Sequence, residues 1–184
     1  MSNTDSSQAR TVTATASDHG LLDVKSLVLL AILLAAGFIL NMTVGNALAM
    51  TGIKPQFIIA AYALAILLTR ANLAQSALYA LISACVIQVT TSIPGLNFLT
   101  ELVAALAMSA LVSAGVGGKA LNPFVATLVT TLVSGALFAV IGTVLAGLAP
   151  AAALVKVPLV LGTAAFNAVV VQALYFPLGK VLGK

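Results

Sequence analysis

The chain has 184 residues, of which 61% are apolar and 7% charged, with a formal net charge of +4 and a mean hydropathy of +1.18. Soluble domains carry roughly 45–50% apolar and about 25% charged residues, so the composition specifies an integral membrane protein and leaves almost no chain for an attached soluble enzyme or DNA-binding module. One cysteine, Cys85, excludes a disulfide framework and a thiolate metal cluster, and eight Lys and Arg residues spread thinly along the chain form no nucleic-acid surface.

Residues 1–24 are rich in Ser, Thr, Asp and Ala and lack hydrophobic periodicity, which predicts a disordered cytoplasmic tail. The apolar run starts near Leu27, too far from a positive amino terminus for a cleaved signal peptide. His19, the single histidine, sits in this tail and has no expected role. Residues 25–184 are expected to form one transmembrane domain. Apolar runs between polar or Gly/Pro breaks predict six helices, at 25–48, 55–69, 72–91, 97–116, 122–148 and 157–181. The second is short, the fifth is long enough to span with tilt, and Pro123 suits the first turn of that fifth helix.

The loops carry an independent topology signal, because cytoplasmic loops are enriched in Lys and Arg. With the amino terminus inside, Arg10, Lys25, Arg70, Lys119, Lys180 and Lys184 are cytoplasmic, while Lys54 and Lys156 are external. That asymmetry requires an even number of spans, so the expected fold is an all-α bundle of six transmembrane helices with both termini cytoplasmic.

Polar side chains are costly in hydrocarbon and face a bundle interior or cavity. The helix rise places Asn41 about 24 Å above Lys25, near the outer boundary. Gln88, Thr90 and Thr91 lie at the outer end of the third helix, Asn97 and Glu101 open the fourth, Lys54 and Gln56 precede the second, and Asn167 lies about 15 Å below the outer end of the sixth. These groups converge on the outer half of the bundle, with Gln172 and Asn72 as the main exceptions, and describe a cup for an external solute rather than a pore. Glu101 is the sole acid in or bordering a span after the tail; a ligand role competes there with capping of the helix dipole. Lys156 reads as a headgroup anchor, whereas Gly52-Ile-Lys-Pro-Gln-Phe57 can fold Lys54 back over the cup.

Helix one carries Ala31 and Ala35 four residues apart, a spacing that puts small side chains on one face and lets another helix approach. Ser76, Ala80 and Ala84, and Ala105, Ser109 and Ser113, repeat the spacing and read as internal packing. No phosphate-binding loop, H-E-x-x-H, Cys/His cluster, G-x-S-x-G or paired intramembrane carboxylate is present, so catalysis and ATP hydrolysis by this chain are not expected. Titratable groups at mid-membrane and paired broken helices are missing too. Energy for moving a solute would come from another subunit.

These features resemble the substrate-binding S components of energy-coupling factor (ECF) transporters, with the nearest likeness to the tryptophan transport protein family. The segments carrying the resemblance are Gly52-Ile-Lys-Pro-Gln-Phe57, Gln88-Val-Thr-Thr-Ser-Ile-Pro-Gly95 with Asn97 soon after, Leu132-Val-Ser-Gly-Ala-Leu-Phe138 and Asn167-Ala-Val-Val-Val-Gln-Ala-Leu-Tyr-Phe-Pro177. Order and spacing agree over about residues 25 to 182. Two departures concern the ligand: Gln56 stands where the family has an acid after Lys-Pro, and Thr100-Glu101 stand where its longer segment ends in Asp-Lys.

The resemblance implies an S component of a prokaryotic cell membrane that captures a solute outside, joins a membrane coupling subunit and two ATPases, and topples to release it inward. Ala31 and Ala35 would meet the coupling subunit. The chain itself would need no cofactor or metal, ATP being used by the partner ATPases. The expected solute is tryptophan or a similar aromatic amino acid, with Glu101 on its ammonium, Lys54 on its carboxylate, and Asn41, Gln56, Gln88, Thr90, Thr91, Asn97 and Asn167 supplying hydrogen bonds. A water-soluble vitamin or precursor, a self-contained facilitator and a structural membrane protein without a solute remain alternatives.

Overall fold

The computed structural model describes residues 23–50 and 54–183, and among them all regular structure is helical. Helix α1 (Val24–Leu40) runs through a π-helical turn (Asn41–Gly45) into the short α2 (Asn46–Ala49). Then come α3 (Phe57–Thr69), α4 (Leu73–Ile87), α5 (Leu96–Ser113) and α6 (Gly118–Leu145), and a 3-10 segment (Pro150–Lys156) leads into α7 (Val157–Val181). The six rods alternate in direction. Residues 49–50, 54–57, 87–96 and 145–157 therefore gather at one end, the Lys54 end, and residues 69–73 and 113–118 gather with both ends of the described chain at the other, the Arg70 end.

Helix α3 is the axis of the bundle, packed by α1, α4, α5, α6 and α7. Its sequence suits that position. Phe57 to Leu68 contains no polar stripe, and a helix apolar on all sides is stable where it is enclosed on all sides; every one of those residues is buried. Thirteen residues rise about 20 Å, short for a bilayer, yet enclosure by longer neighbours removes the need to reach water. The helix stops where Arg70 adopts a left-handed φ of 51° and the Ala71 amide reaches back to the Ile66 carbonyl at 3.2 Å.

Around this axis, α1 buries Ser26, Leu30, Leu34 and Gly37 at three- and four-residue steps. Gly37 marks its closest approach to α3, since a Cβ there would lie 2.8 Å from the Phe57 carbonyl oxygen. The opposite face presents Ala31, Ile32 and Ala35, all exposed. Asp23 caps α1 by accepting from the Lys25 and Ser26 amides and the Ser26 hydroxyl, and the Ser26 hydroxyl, with those amides, holds its carboxyl below the usual aspartate value. Helix α1 starts at Val24, at the edge of the expected tail; residues 1–22, the rest of that tail except Asp23, lie outside the described residues.

Small side chains make the α4–α5 contact: Ser76, Ala80 and Ala84 are buried against a helix whose Ala105 and Ser109 are buried too, while Ser113 is exposed. Both polar exceptions noted at the other end are structural. Asn72 caps α4 in a reciprocal box with Gln75. Gln172 accepts from the Phe124 amide at 3.0 Å and donates to the Ala120 carbonyl at 2.8 Å, spanning a rung of α6 beside Pro123. That proline corrects the expectation of a helix start: α6 begins at Gly118, so Pro123 is interior and buried. A proline inside a helix removes one amide donor and crowds the carbonyl four residues back, and the Gln172 amide braces the weakened turn from α7.

Four segments are long and apolar enough to cross a membrane: Val24–Ala49, Leu96–Ser113, Gly118–Leu145 and Pro150–Val181. Their outer faces expose Ile32, Ile39, Val103, Val140, Leu161 and Val169. An apolar exterior of this extent matches lipid, since water-exposed surfaces rarely carry large contiguous apolar areas.

Candidate binding cavity

The polar core of the Lys54 end is assembled from α5 outward. Gly95, at φ 85°, makes the turn into α5, and Asn97 and Glu101, one helical turn apart, face inward. Glu101 lies in the second turn and is 2% exposed, so it does not cap the helix. Its Oε2 accepts from the Tyr62 hydroxyl at 2.9 Å. Its Oε1 accepts from the Ser134 hydroxyl at 2.7 Å and the Thr100 hydroxyl at 3.3 Å. No ion pair with a described residue accompanies these bonds. An ionised carboxylate offers about four acceptor sites; the three hydroxyls take three of them and the Asn97 side-chain amide approaches the fourth, so a further donor shares or displaces Asn97. Burying such a charge without a counter-ion costs stability.

Facing α5, helix α6 carries Thr127, Thr130, Thr131 and Ser134, all buried and spaced to form one stripe. Ser134 serves Glu101. Thr131 Oγ1 accepts from Asn167 Nδ2 at 3.4 Å, and the Thr130 hydroxyl donates to Met108 Sδ at 3.1 Å. Farther up, Gly135 lets α7 close in: a Cβ there would meet Val160 Cγ1 at 2.8 Å.

The segment entering α3 is held by side chains from other helices. The first amides of any helix lack intrahelical acceptors, and no side chain of this segment caps α3. Asn41 supplies one acceptor, taking the Phe57 amide at 3.3 Å from the π-helical turn, a local widening often found at functional positions. Asn167 supplies another, taking the Gln56 amide at 3.3 Å while donating to the Gln56 carbonyl at 3.1 Å. The Thr163 hydroxyl donates to the Lys54 carbonyl at 2.9 Å. Lys54 and Gln56 thus ride on a backbone clamped from α1 and α7.

The α4–α5 turn is tied down similarly. Gln88 accepts from the Gly95 amide at 2.9 Å and donates to the Ala84 carbonyl at 3.1 Å. The Thr91 hydroxyl donates to Asn97 Oδ1 at 2.6 Å, and the Thr90 hydroxyl donates to the Ile87 carbonyl at 3.3 Å.

Together these elements enclose a cavity of about 340 Å³, within the range of small-molecule sites. Of the nine residues expected at the cup, Asn41, Lys54, Gln56, Thr90, Thr91, Asn97 and Glu101 line it. Gln88 and Asn167 do not: they hold the backbone of the turn and of Gln56. Residues not foreseen also line it. Thr131, Ser134 and Thr163 add hydroxyls, Phe138 adds an aromatic ring, and Ile59, Ile87, Leu159 and Val160 add apolar wall. Lys156, expected as a headgroup anchor, is a lining residue whose ammonium donates to Thr143 Oγ1 at 3.1 Å. The three- and four-residue spacing of Thr127, Thr130, Thr131 and Ser134 in an otherwise apolar helix was the legible signal for the α6 wall. Lys156 gave none beyond its position.

The cavity combines one buried carboxylate, two lysines, hydroxyl and amide groups, and an apolar wall with one ring. That set complements a molecule carrying a cation, an anion and an apolar body. Among the described residues no three His, Cys, Asp or Glu side chains come together to hold a metal. Ala31 and Ala35 are not part of the cavity. No protein-family model, curated protein or solved structure matches this chain.

Proposed function

We propose that this chain is the substrate-binding S component of an ECF-type importer and captures tryptophan or a similar aromatic amino acid. The observation that carries the reading is Glu101, a buried carboxylate with hydroxyl partners and no cation among the described residues, lining a cavity that also contains two lysines. A zwitterion completes that arrangement: its ammonium pairs with Glu101 beside the Asn97 amide, its carboxylate meets Lys54 and Lys156, and its side chain lies against Phe138, Ile87 and Val160. The wrong ligand leaves a buried charge unpaired and is rejected. In this reading the six rods all cross the cell membrane of a prokaryote, the Lys54 end faces outward and both termini are cytoplasmic, as the lysine and arginine distribution supports.

The chain does no chemistry of its own in this reading and uses no cofactor. Inward release is driven by a membrane coupling subunit and two ATPases, which dock through the exposed face of α1 carrying Ala31 and Ala35. The excess of lysines over carboxylates in the cavity favours one competing solute within the same class, a water-soluble vitamin or precursor carrying a carboxylate. Thermal unfolding of the detergent-purified chain against the twenty amino acids and the water-soluble vitamins separates the two. A ligand at a hundred times its dissociation constant adds about 2.7 kcal/mol. A selective shift with tryptophan supports the proposal, a shift with a vitamin alone replaces the solute, and no shift with any compound refutes solute capture.

A further inference from the structure

A second cavity, of about 530 Å³, lies at the Arg70 end between α3, α5, α6 and α7. Its wall is apolar, from Leu67, Leu68, Val112, Tyr175 and Phe176, and its rim carries Arg70, Lys119 and Lys180. The three cations come from three separate elements: the left-handed residue that ends α3, the first turn of α6 and the last turn of α7. Among the described residues no Asp or Glu lines the cavity to neutralise the three charges. Topology alone asks for cations anywhere at this end, yet three of the four described ones line this single hollow, Lys25 being the fourth.

We propose that this cavity holds an anionic phospholipid of the adjoining leaflet, its phosphate at the Arg70, Lys119 and Lys180 rim and an acyl chain against Leu67, Leu68 and Phe176. Charge selects the occupant: three cations with no acidic partner among the described residues, set beside an apolar wall, repel one another until an anion arrives, and an amphiphile satisfies rim and wall together. Basic pockets between membrane helices hold anionic headgroups on the same grounds. A free phosphate shares the rim chemistry but makes no use of the wall. The inference rests on the chain residing in a bilayer and is independent of the solute bound at the Lys54 end.

Native mass spectrometry of the full chain, released from nanodiscs of equal phosphatidylglycerol and phosphatidylcholine, reads lipid retention directly. Phosphatidylglycerol is expected to be retained selectively. Each cation near a membrane surface contributes about a fivefold preference, so Arg70→Gln with Lys119→Gln and Lys180→Gln lowers retention on the order of a hundredfold, while Lys25→Gln leaves it unchanged. Gly179 lines the cavity and a Cβ there meets open space, so Gly179→Leu folds, fills the hollow and lowers phosphatidylglycerol retention with all three cations present. This variant also keeps the test decisive if the triple variant fails to fold. Equal retention of both lipids, or equal loss in Lys25→Gln, overturns the site in favour of diffuse surface charge. Full displacement by inorganic phosphate with no effect of Gly179→Leu overturns the lipid in favour of the free anion. Solute binding at the other cavity is unchanged in every variant, which separates this test from that of the transport reading.

Discussion

Replacing Glu101 by glutamine keeps the side chain's size and removes its charge, and the structure separates the consequences for stability and for binding. In the empty protein the carboxylate accepts from Tyr62, Ser134 and Thr100 at 2.9, 2.7 and 3.3 Å. The glutamine oxygen retains the partners on one side, and on the other the amide confronts hydroxyls that turn to accept from it. Each weakened bond costs about 1 kcal/mol, and loss of an uncompensated buried charge offsets this or exceeds it. Unfolding of the empty variant is therefore expected within about 1 kcal/mol of the parent or above it. Binding behaves differently, because deleting one partner of a buried charge pair costs about 2–5 kcal/mol. At 2.7 kcal/mol the dissociation constant for tryptophan rises about a hundredfold. Tryptophan at a hundred times the parental constant then stabilises the variant by about 0.4 kcal/mol instead of about 2.7. Indole-3-propionate, which lacks the ammonium and leaves the Glu101 charge unpaired in the parent, is expected to bind the variant more tightly than the parent. The assay is thermal unfolding confirmed by calorimetric titration with both ligands. Equal tryptophan affinity in parent and variant, or an equal loss for tryptophan and indole-3-propionate, refutes an ammonium contact at Glu101.

Three further outcomes follow from the same geometry. Ala35→Trp places a large ring on the exposed face of α1, so stability stays within about 0.5 kcal/mol and solute binding persists, while under the proposed transport reading uptake by vesicles carrying a coupling subunit and ATPases is lost; loss of binding would refute a docking role. Gly37→Ala forces a methyl to 2.8 Å from the Phe57 carbonyl and costs about 1–3 kcal/mol by overpacking in thermal unfolding, whereas Gly179→Ala, with open space, is neutral or stabilising by up to about 1 kcal/mol. Asn167→Ala leaves the Gln56 amide and carbonyl without their side-chain partner and lowers stability by about 1–3 kcal/mol; because Asn167 is not a lining residue, its effect on affinity is expected to act through Lys54 and Gln56, and rescue by a ligand lacking a carboxylate checks that route.

The sequence determined the class of this protein and much of its helical layout. Hydropathy alone marks the apolar runs, and the last one, expected at 157–181, coincides with α7. The apolarity of Phe57 to Leu68, broken only by the Tyr62 hydroxyl, was equally plain, but its meaning was not. Whether an all-apolar helix faces lipid or is enclosed by other helices depends on its neighbours, and tertiary packing made α3 the axis. The loss of the α4 terminus after Ile87 and the interior position of Pro123 were also tertiary outcomes, because Gln88 and Gln172 satisfy backbone groups that local propensity leaves open.

For the candidate site, depth along each helix is local information: a rise of about 1.5 Å per residue placed Asn41, Asn97 and Glu101 at a common level before any fold was known. Rotation and contact are not local. The sequence could not say that Glu101 meets Tyr62 and Ser134, that Asn167 holds the Gln56 backbone instead of lining the cavity, or that Lys156 reaches inward. Each depends on which faces of α3, α5, α6 and α7 the packing turns toward one another, and that is set by close approaches at residues such as Gly37 and Gly135, where the missing side chain rather than any present one decides the arrangement.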